Sequence, residues 1–277
     1  MTTSFTHDNR RLAEAYDRLS DSQFEGGKRL VDRLGLPKGA HVLDVGCGTG
    51  RLARWIADTV GPTGRVVGLD PLAERVAIAR EHAGVTAVAQ PPAIAFEVGQ
   101  AEDLGAFADE SFDAVFMSAV FHWVSDKAKA LAEIRRVLRP GGRLGVTTLA
   151  RELTGASSVT PVLMPLLQRA PYLDKVDLSV LAVASRGHTT TDLISMVLAS
   201  GLELAELHVM PRSWTRATGE EAVDFLEASS FGNLLRIVPE GLRASLRADL
   251  AEGFDARKGP DGVVLRDYGV IFVARRV

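Results

Sequence analysis

Val42-Leu43-Asp44-Val45-Gly46-Cys47-Gly48-Thr49-Gly50 is an apolar run that passes an acid and then three alternate glycines. Its first half, with His41, predicts a strand over His41–Val45, because β-branched and apolar residues suit a buried strand. The residues after it predict a helix over Arg51–Val60, with Leu52, Trp55, Ile56 and Val60 on one face and Gly61-Pro62 as its stop. Glycine in the turn between them permits backbone conformations and close approaches that a side chain would block. A second strand, Arg65–Asp70, follows at once and ends in another acid. Strand, glycine turn, helix and strand in that order are the unit of a parallel α/β sheet.

Asp70 stands twenty residues after Gly50, where an acid at a strand end can accept hydrogen bonds from both hydroxyls of a bound ribose. The pair therefore points to a nucleoside-containing cofactor. The dinucleotide fingerprint G-x-G-x-x-G would place its third glycine where this chain has Arg51, which argues against a nicotinamide cofactor. No G-x-x-x-x-G-K-[ST] stretch is present to cradle a triphosphate. What remains is D-x-G-x-G-x-G.

Outward from this unit the alternation continues. A helix is expected over 72–83, a proline-rich connection over 90–93, strands over Ile94–Val98 and Phe112–Ser118, a helix over 127–138 stopped by Pro140-Gly141-Gly142, and a strand over 143–149. Beyond Ala150 the rhythm breaks. Residues 151–188 hold three prolines and no clean period before a helix over 191–200 and a strand over 202–210. A second break, 212–262, opens with a capping box Thr218-x-x-Glu221 and carries a further helix after Pro239, and a last strand is expected over 263–273. The sequence thus suggests residues 1–149 as N-terminal helices plus the cofactor-binding core, and 150–277 as the rest of the sheet with helical cap insertions at 150–188 and 212–262. Open α/β sheets bind ligands at the carboxyl ends of their strands, where such a cap would serve.

The 277 residues are 46% hydrophobic and 24% charged, which fits a folded globular chain and excludes a disordered or fibrous one. A net charge of −3 gives no positive excess to draw the chain to nucleic acid or anionic lipid. No apolar stretch approaches the ~20 residues of a membrane span, and the polar start of the chain does not read as a signal peptide. One cysteine, Cys47, forms no intramolecular disulfide and no thiolate metal site, which suits a cytoplasmic protein.

Asp44 to Gly50, Val66 to Asp70, Gly99-Gln100-Ala101-Glu102-Asp103-Leu104, Ser111-Phe112-Asp113-Ala114-Val115 and Leu138-Arg139-Pro140-Gly141-Gly142 together resemble, in order and spacing, a class I S-adenosylmethionine-dependent methyltransferase. The resemblance covers roughly residues 24–149 and is nearest the small-molecule branch of ubiquinone, menaquinone and trans-aconitate methyltransferases. It implies a Rossmann-like, seven-stranded, mostly parallel sheet whose last strand is antiparallel. It implies S-adenosyl-L-methionine as cofactor and S-adenosyl-L-homocysteine as product. Carried over residue by residue, Gly46, Gly48 and Gly50 lie against the methionine part of the cofactor with Asp44 near its ammonium. Asp70 binds the ribose, Leu72 lies on the adenine, Gln100 and the Ala101 backbone recognise the adenine edge, and Ser118 offers its carbonyl to the ammonium. Gln100 stands where the family often has Asp, and its amide oxygen can still accept.

Methyl transfer from a sulfonium is an in-line displacement, so alignment and water exclusion supply much of the rate. His122, in Phe121-His122-Trp123 just after the fourth strand, is the candidate base or substrate contact. Phe121 and Trp123 are candidate pocket residues, and Tyr16 and Phe24 candidate lid residues. Ser118-Ala119-Val120-Phe121 is not the [DN]-P-P-[YF] stretch of amino-methylating nucleic-acid enzymes, and a lone cysteine cannot hold arsenic. No acidic cluster suggests magnesium, so no metal is expected. In the cap, Tyr172, Trp214, Phe225 and Phe231 alternate with Arg186, Arg212, Arg216 and Arg236, any of which could meet an anionic acceptor. The expected activity is methylation of a small organic molecule at O, N or C, with a peptide acceptor open and oligomeric state undetermined. The rival readings are a noncatalytic S-adenosylmethionine-binding protein and a nicotinamide-dependent oxidoreductase.

Overall fold

Strands β1 (His41–Val45), β2 (Arg65–Asp70), β3 (Ile94–Val98), β4 (Phe112–Ser118), β5 (Leu138–Leu149), β6 (Leu202–Arg216) and β7 (Val263–Arg276) form one sheet in the order β3-β2-β1-β4-β5-β7-β6. β1 pairs in parallel with β2 and β4, β2 with β3, and β4 with β5. Six strands run parallel and the last is antiparallel, as the resemblance implied. The computed structural model describes residues 7–84, 94–149, 152, 157–177 and 188–277. The proline-rich connection at 90–93, Arg186 and most of 150–156 and 178–187 lie outside these residues.

The chain divides into two compact units. The first comprises Gln23–Leu149, His188–Val209 and Val270–Val277, and the second Met1–Ser22, Ala150–Gly187 and Met210–Gly269. β6 and β7 run on from one unit into the other.

In the first unit, helices α2 (Asp21–Leu34), α3 (Arg51–Val60), α4 (Ala73–Ala83), α5 (Lys127–Val137) and α7 (Thr190–Ala199) accompany the strands; α2 begins two residues before the unit does. The amphipathic spacing of α3 buries Leu52, Ala53, Ile56 and Val60, each larger apolar side chain contributing about 1.5–3 kcal/mol. Its C-cap Gly61 takes φ +76° and donates its N–H to the Ala57 carbonyl, the ending expected from the sequence. Switching from β1–β2 to β1–β4 in the strand order leaves a crevice beyond the carboxyl ends of β1 and β4, where the glycine turn lies.

β5 starts at Leu138 rather than at 143. Phe112 pairs with Leu138 and Ala114 with Arg143, so the register jumps and Pro140-Gly141-Gly142 forms a bulge inside the strand. Gly141 takes φ +80°, and a Cβ on Gly142 would press on the Arg139 carbonyl, so these residues are needed for the bulge as well as to stop α5.

The second unit holds α1 (Arg10–Leu19), α6 (Thr160–Leu167), α8 (Gly219–Ser229), α9 (Glu240–Asp255) and the outer parts of β6 and β7. α6 arises where the sequence showed no period. Pro161 fits its first turn, whereas Pro165 lacks the N–H that would bond the Pro161 carbonyl; Arg257 Nη2 donates to that carbonyl instead, at 3.2 Å. β6 runs six residues past the expected 210, through Pro211, which an edge strand tolerates. The Thr218 hydroxyl accepts from Glu221 N–H, but Glu221 reaches back to the N–H of Ala217, one residue beyond the reciprocal partner a capping box uses. Tyr172, Phe225, Leu246, Leu250 and Phe254 centre the apolar core of this unit.

Candidate functional site

The glycine turn is fixed by backbone bonds to the next strand. Gly46 and Cys47 N–H both donate to the Leu69 carbonyl, at 2.6 and 3.0 Å, and Gly50 N–H donates to the Cys47 carbonyl at 2.9 Å. Gly46, Gly48 and Gly50 all take positive φ, between +55° and +81°. Space matters as much as conformation. A Cβ on Gly46 would collide with Val120, and one on Gly50 with the ring of Phe96.

Asp70 closes β2 facing this turn. Its Oδ2 accepts from Gly48 N–H and its Oδ1 from Leu72 N–H, both at 2.9 Å, so its carboxylate is aimed by backbone donors on two sides. Asp44 is 2% exposed, and burial, followed by the charge of Asp70, pushes its carboxyl well above the ordinary range. The same surroundings push the buried Cys47 thiol up, so it stays protonated and is no nucleophile. A buried acid whose pKa is raised by burial and by a neighbouring acid is relieved by a bound cation. Such a pair therefore fits a ligand bearing an ammonium, a sulfonium and ribose hydroxyls.

Leu72 is half-buried and precedes α4. Gln100 is exposed and Ala101 buried, in a tight turn in which Asp103 N–H donates to the Gln100 carbonyl at 3.1 Å. Glu102, beside them, accepts from Ser125 and Asp126 N–H at 2.8 and 3.2 Å, tying this turn to the start of α5. Ser118 ends β4 beside Gly27 of α2, where a Cβ would stand 3.1 Å from its Oγ.

After Ser118 the chain turns sharply. Ala119 takes φ +59°, its N–H donating to both the carbonyl and Oγ1 of Thr147, at 3.0 and 2.8 Å. The 3₁₀ turn Phe121–Trp123 then carries His122, half-buried, with Nδ1 3.3 Å from Thr148 Oγ1. The His122 and Trp123 rings lie 5.1 Å apart. Phe121 is 1% exposed and meets Phe272 of β7 edge-on at 6.2 Å, which makes it part of the core of the first unit. Phe24 lies close to two cations, its ring 4.4 Å from the Arg51 guanidinium and 5.1 Å from Lys28 Nζ.

The second unit holds Tyr16 half-buried on α1. Tyr172 is a core residue whose hydroxyl donates to Asp249 at 2.8 Å. Trp214 packs on Phe225 at 5.7 Å; Phe231 is half-buried with φ +56°. Arg212 grips Asp267 with two bonds of 2.7 Å, and Arg216 lies over Phe225 and donates to the Leu19 carbonyl. Arg236 is half-buried beside the 3₁₀ turn Leu234–Ile237 that carries it. Among the described residues no three His, Cys, Asp or Glu side chains gather as metal ligands, and no helix is long and apolar enough to cross a membrane.

Four residues escaped the sequence reading: Phe96, Val120, Thr147 and Thr148. The threonine pair had a signal, two hydroxyl residues at the carboxyl end of the otherwise apolar Leu144–Val146 segment.

A family described as a methyltransferase domain matches residues 43–146. A ubiquinone/menaquinone biosynthesis C-methyltransferase of Pseudomonas savastanoi is 31% identical over 210 residues, 72% of this chain and 81% of that protein. A 2-phytyl-1,4-beta-naphthoquinone methyltransferase of Arabidopsis thaliana, described as chloroplastic, is 38% identical over 141 residues, 49% of this chain and 54% of that protein. The chain thus spans about half the length of the latter. In fold it is similar to a Bacillus halodurans protein provisionally described as a methyltransferase, with a TM-score of 0.59 at 20% identity over 90% of this chain and 98% of that one. With its glycine turn, paired acids and sheet order, the chain belongs to the class I S-adenosylmethionine-dependent methyltransferases, as a relative of the ubiquinone and menaquinone enzymes.

Proposed function

We propose that the protein transfers a methyl group from S-adenosylmethionine to a small organic acceptor. The observation that carries this reading is the aimed Asp70 carboxylate beside a buried, charge-starved Asp44 at the glycine turn. When bound, the cofactor would supply an electrophilic methyl group carried on a sulfonium. The chain's own residues then have distinct tasks. Asp70 holds the ribose, Asp44 balances the positive charge of the methionine end, and Gly46, Gly48 and Gly50 let the backbone pass close to it. Leu72, Gln100 and Ala101 receive the adenine, and the Ser118 carbonyl accepts from the ammonium. His122 takes the acceptor's proton, and Trp123 and Phe24 keep water from the reacting atoms.

The quinone-methylating relatives favour a small molecule over a peptide as acceptor. A cytoplasmic setting belongs to the same proposal, supported by the single, buried, protonated cysteine.

Titration calorimetry with S-adenosylmethionine, S-adenosylhomocysteine and NAD tests the reading before any acceptor is known. Binding of the two adenosyl ligands alone is expected. Binding of NAD, or of none of them, overturns it. Conversion to S-adenosylhomocysteine over a panel of quinones, phenols and organic acids then separates an enzyme from a noncatalytic binding protein, and His122→Ala should lower that turnover more than cofactor affinity.

A further inference from the structure

We infer that Thr147 and Thr148, adjacent on β5, act as positioning residues: Thr147 holds the turn that seats the glycine loop, and Thr148 sets the tautomer of His122. The second half rests on the reading of His122 as the base.

Both threonines are nearly inaccessible, at 8% and 2% exposure, in a strand whose neighbouring positions are apolar. A buried hydroxyl is retained at a cost unless it is bonded, so two in succession call for partners. Successive strand residues point to opposite faces. This pair nevertheless serves one turn, because Thr147 uses its backbone carbonyl as well as its side chain. Ala119 N–H is shared between Thr147 O and Oγ1, at 3.0 and 2.8 Å. Those two acceptors hold an alanine at φ +59°, a left-handed conformation that a residue with a Cβ rarely adopts. The next residue, Val120, occupies the space over Gly46 where a Cβ would collide with it. Thr147 therefore reaches the glycine loop through two residues, Ala119 and Val120.

Two positions further on, His122 Nδ1 faces Thr148 Oγ1 at 3.3 Å. The hydroxyl can serve either tautomer of this contact; we take Nδ1–H as the donor, which makes Nε2 the unprotonated nitrogen. An imidazole acts as a base only through the nitrogen that lacks the proton, so a hydroxyl that accepts from Nδ1 determines which nitrogen can work.

Nitrogen-15 spectra of the full chain labelled in histidine, saturated with S-adenosylhomocysteine, test this directly. His122 is identified by the signal lost in His122→Gln. The wild-type protein should show His122 with Nδ1 protonated and Nε2 bare. Thr148→Val should release that tautomer and Thr148→Ser should restore it. Protonation on Nε2 in the wild type overturns the assignment without any variant, and so do identical His122 signals in wild type and Thr148→Val. For the other half, Thr147→Val should weaken S-adenosylhomocysteine binding by about two- to tenfold, the worth of one hydrogen bond, with Thr147→Ser near wild type. Equal affinity in a folded Thr147→Val protein, or equal loss in the serine variant, overturns it. If the wild type binds no S-adenosylhomocysteine, the methyltransferase reading and the Thr147 arm fall together, while the tautomer of the unliganded protein still decides Thr148. If it binds and the tautomer is wrong, only the Thr148 arm fails.

Discussion

Asp44 is the residue whose chemistry is most altered by its place. Burial first, then the charge of Asp70, raise its carboxyl pKa. An acid raised in the folded state keeps a proton that the unfolded chain has released. Stability therefore falls as pH rises from the unfolded carboxylate range to the raised value, and stays lowered above it. Asp44→Asn removes that loss, so the variant should melt higher than wild type at neutral pH and converge with it in acid. A bound cation favours the carboxylate, so wild-type affinity for S-adenosylmethionine should rise with pH over the same window, and Asp44→Asn should bind weakly with a flat profile. Melting curves and calorimetry across mildly acidic to mildly alkaline pH check both. A variant that is less stable yet binds normally would refute the role assigned to this acid. Asp70 differs in being held by two backbone N–H groups. Asp70→Ala should weaken cofactor binding by about 1–3 kcal/mol, roughly five- to 150-fold.

At the scale of elements, α8 and α9 pack closely in the second unit. A Cβ on Gly219 would collide with the Ala251 carbonyl, and Gly219 N–H also donates to Asp255 Oδ1 at 2.8 Å. Backbone cannot yield as a side-chain end can, so Gly219→Ala should cost about 1–3 kcal/mol. Gly241, in the first turn of α9, has nothing within 4 Å of the same atom. Gly241→Ala should instead stabilise by about 0.4–1 kcal/mol by reducing the freedom of the unfolded chain. Denaturant midpoints of the two variants should thus move in opposite directions; a shift of the same sign would show that helix propensity, not packing, governs this pair. α6 shows the same contest between local and tertiary terms. Pro165 in its interior argues against a helix, and it forms because Val162, Leu163, Leu166 and Leu167 enter the core of the second unit and Arg257 takes up the freed carbonyl.

For the whole molecule, binding to the folded chain alone adds RT ln(1 + [L]/Kd) to stability, about 2.7 kcal/mol at a hundredfold excess over Kd. S-adenosylmethionine at that excess should raise the melting temperature by roughly 5 °C. NAD at equal concentration should leave it unchanged, and Asp70→Ala should lose most of the rise at the wild-type cofactor concentration. A rise with NAD instead would return the chain to the dinucleotide-binding class that Arg51 argues against. At the same scale, what the sequence alone determined is what short-range chemistry encodes. Strand and helix periodicity in residues 41–149, the glycine turn and the acid that ends β2 were legible because each is written in residues a few positions apart. The family followed from their order. Only the tertiary structure decided that Pro140-Gly141-Gly142 is a bulge within β5, that Phe121 faces Phe272, and that Val120 covers Gly46. It also decided that Thr147 and Thr148 meet Ala119 and His122 across separations of 28 and 26 residues. Such contacts leave no period in the chain, because the sheet brings together residues whose spacing is set by the length of the crossover and not by the turn of a helix or the pleat of a strand.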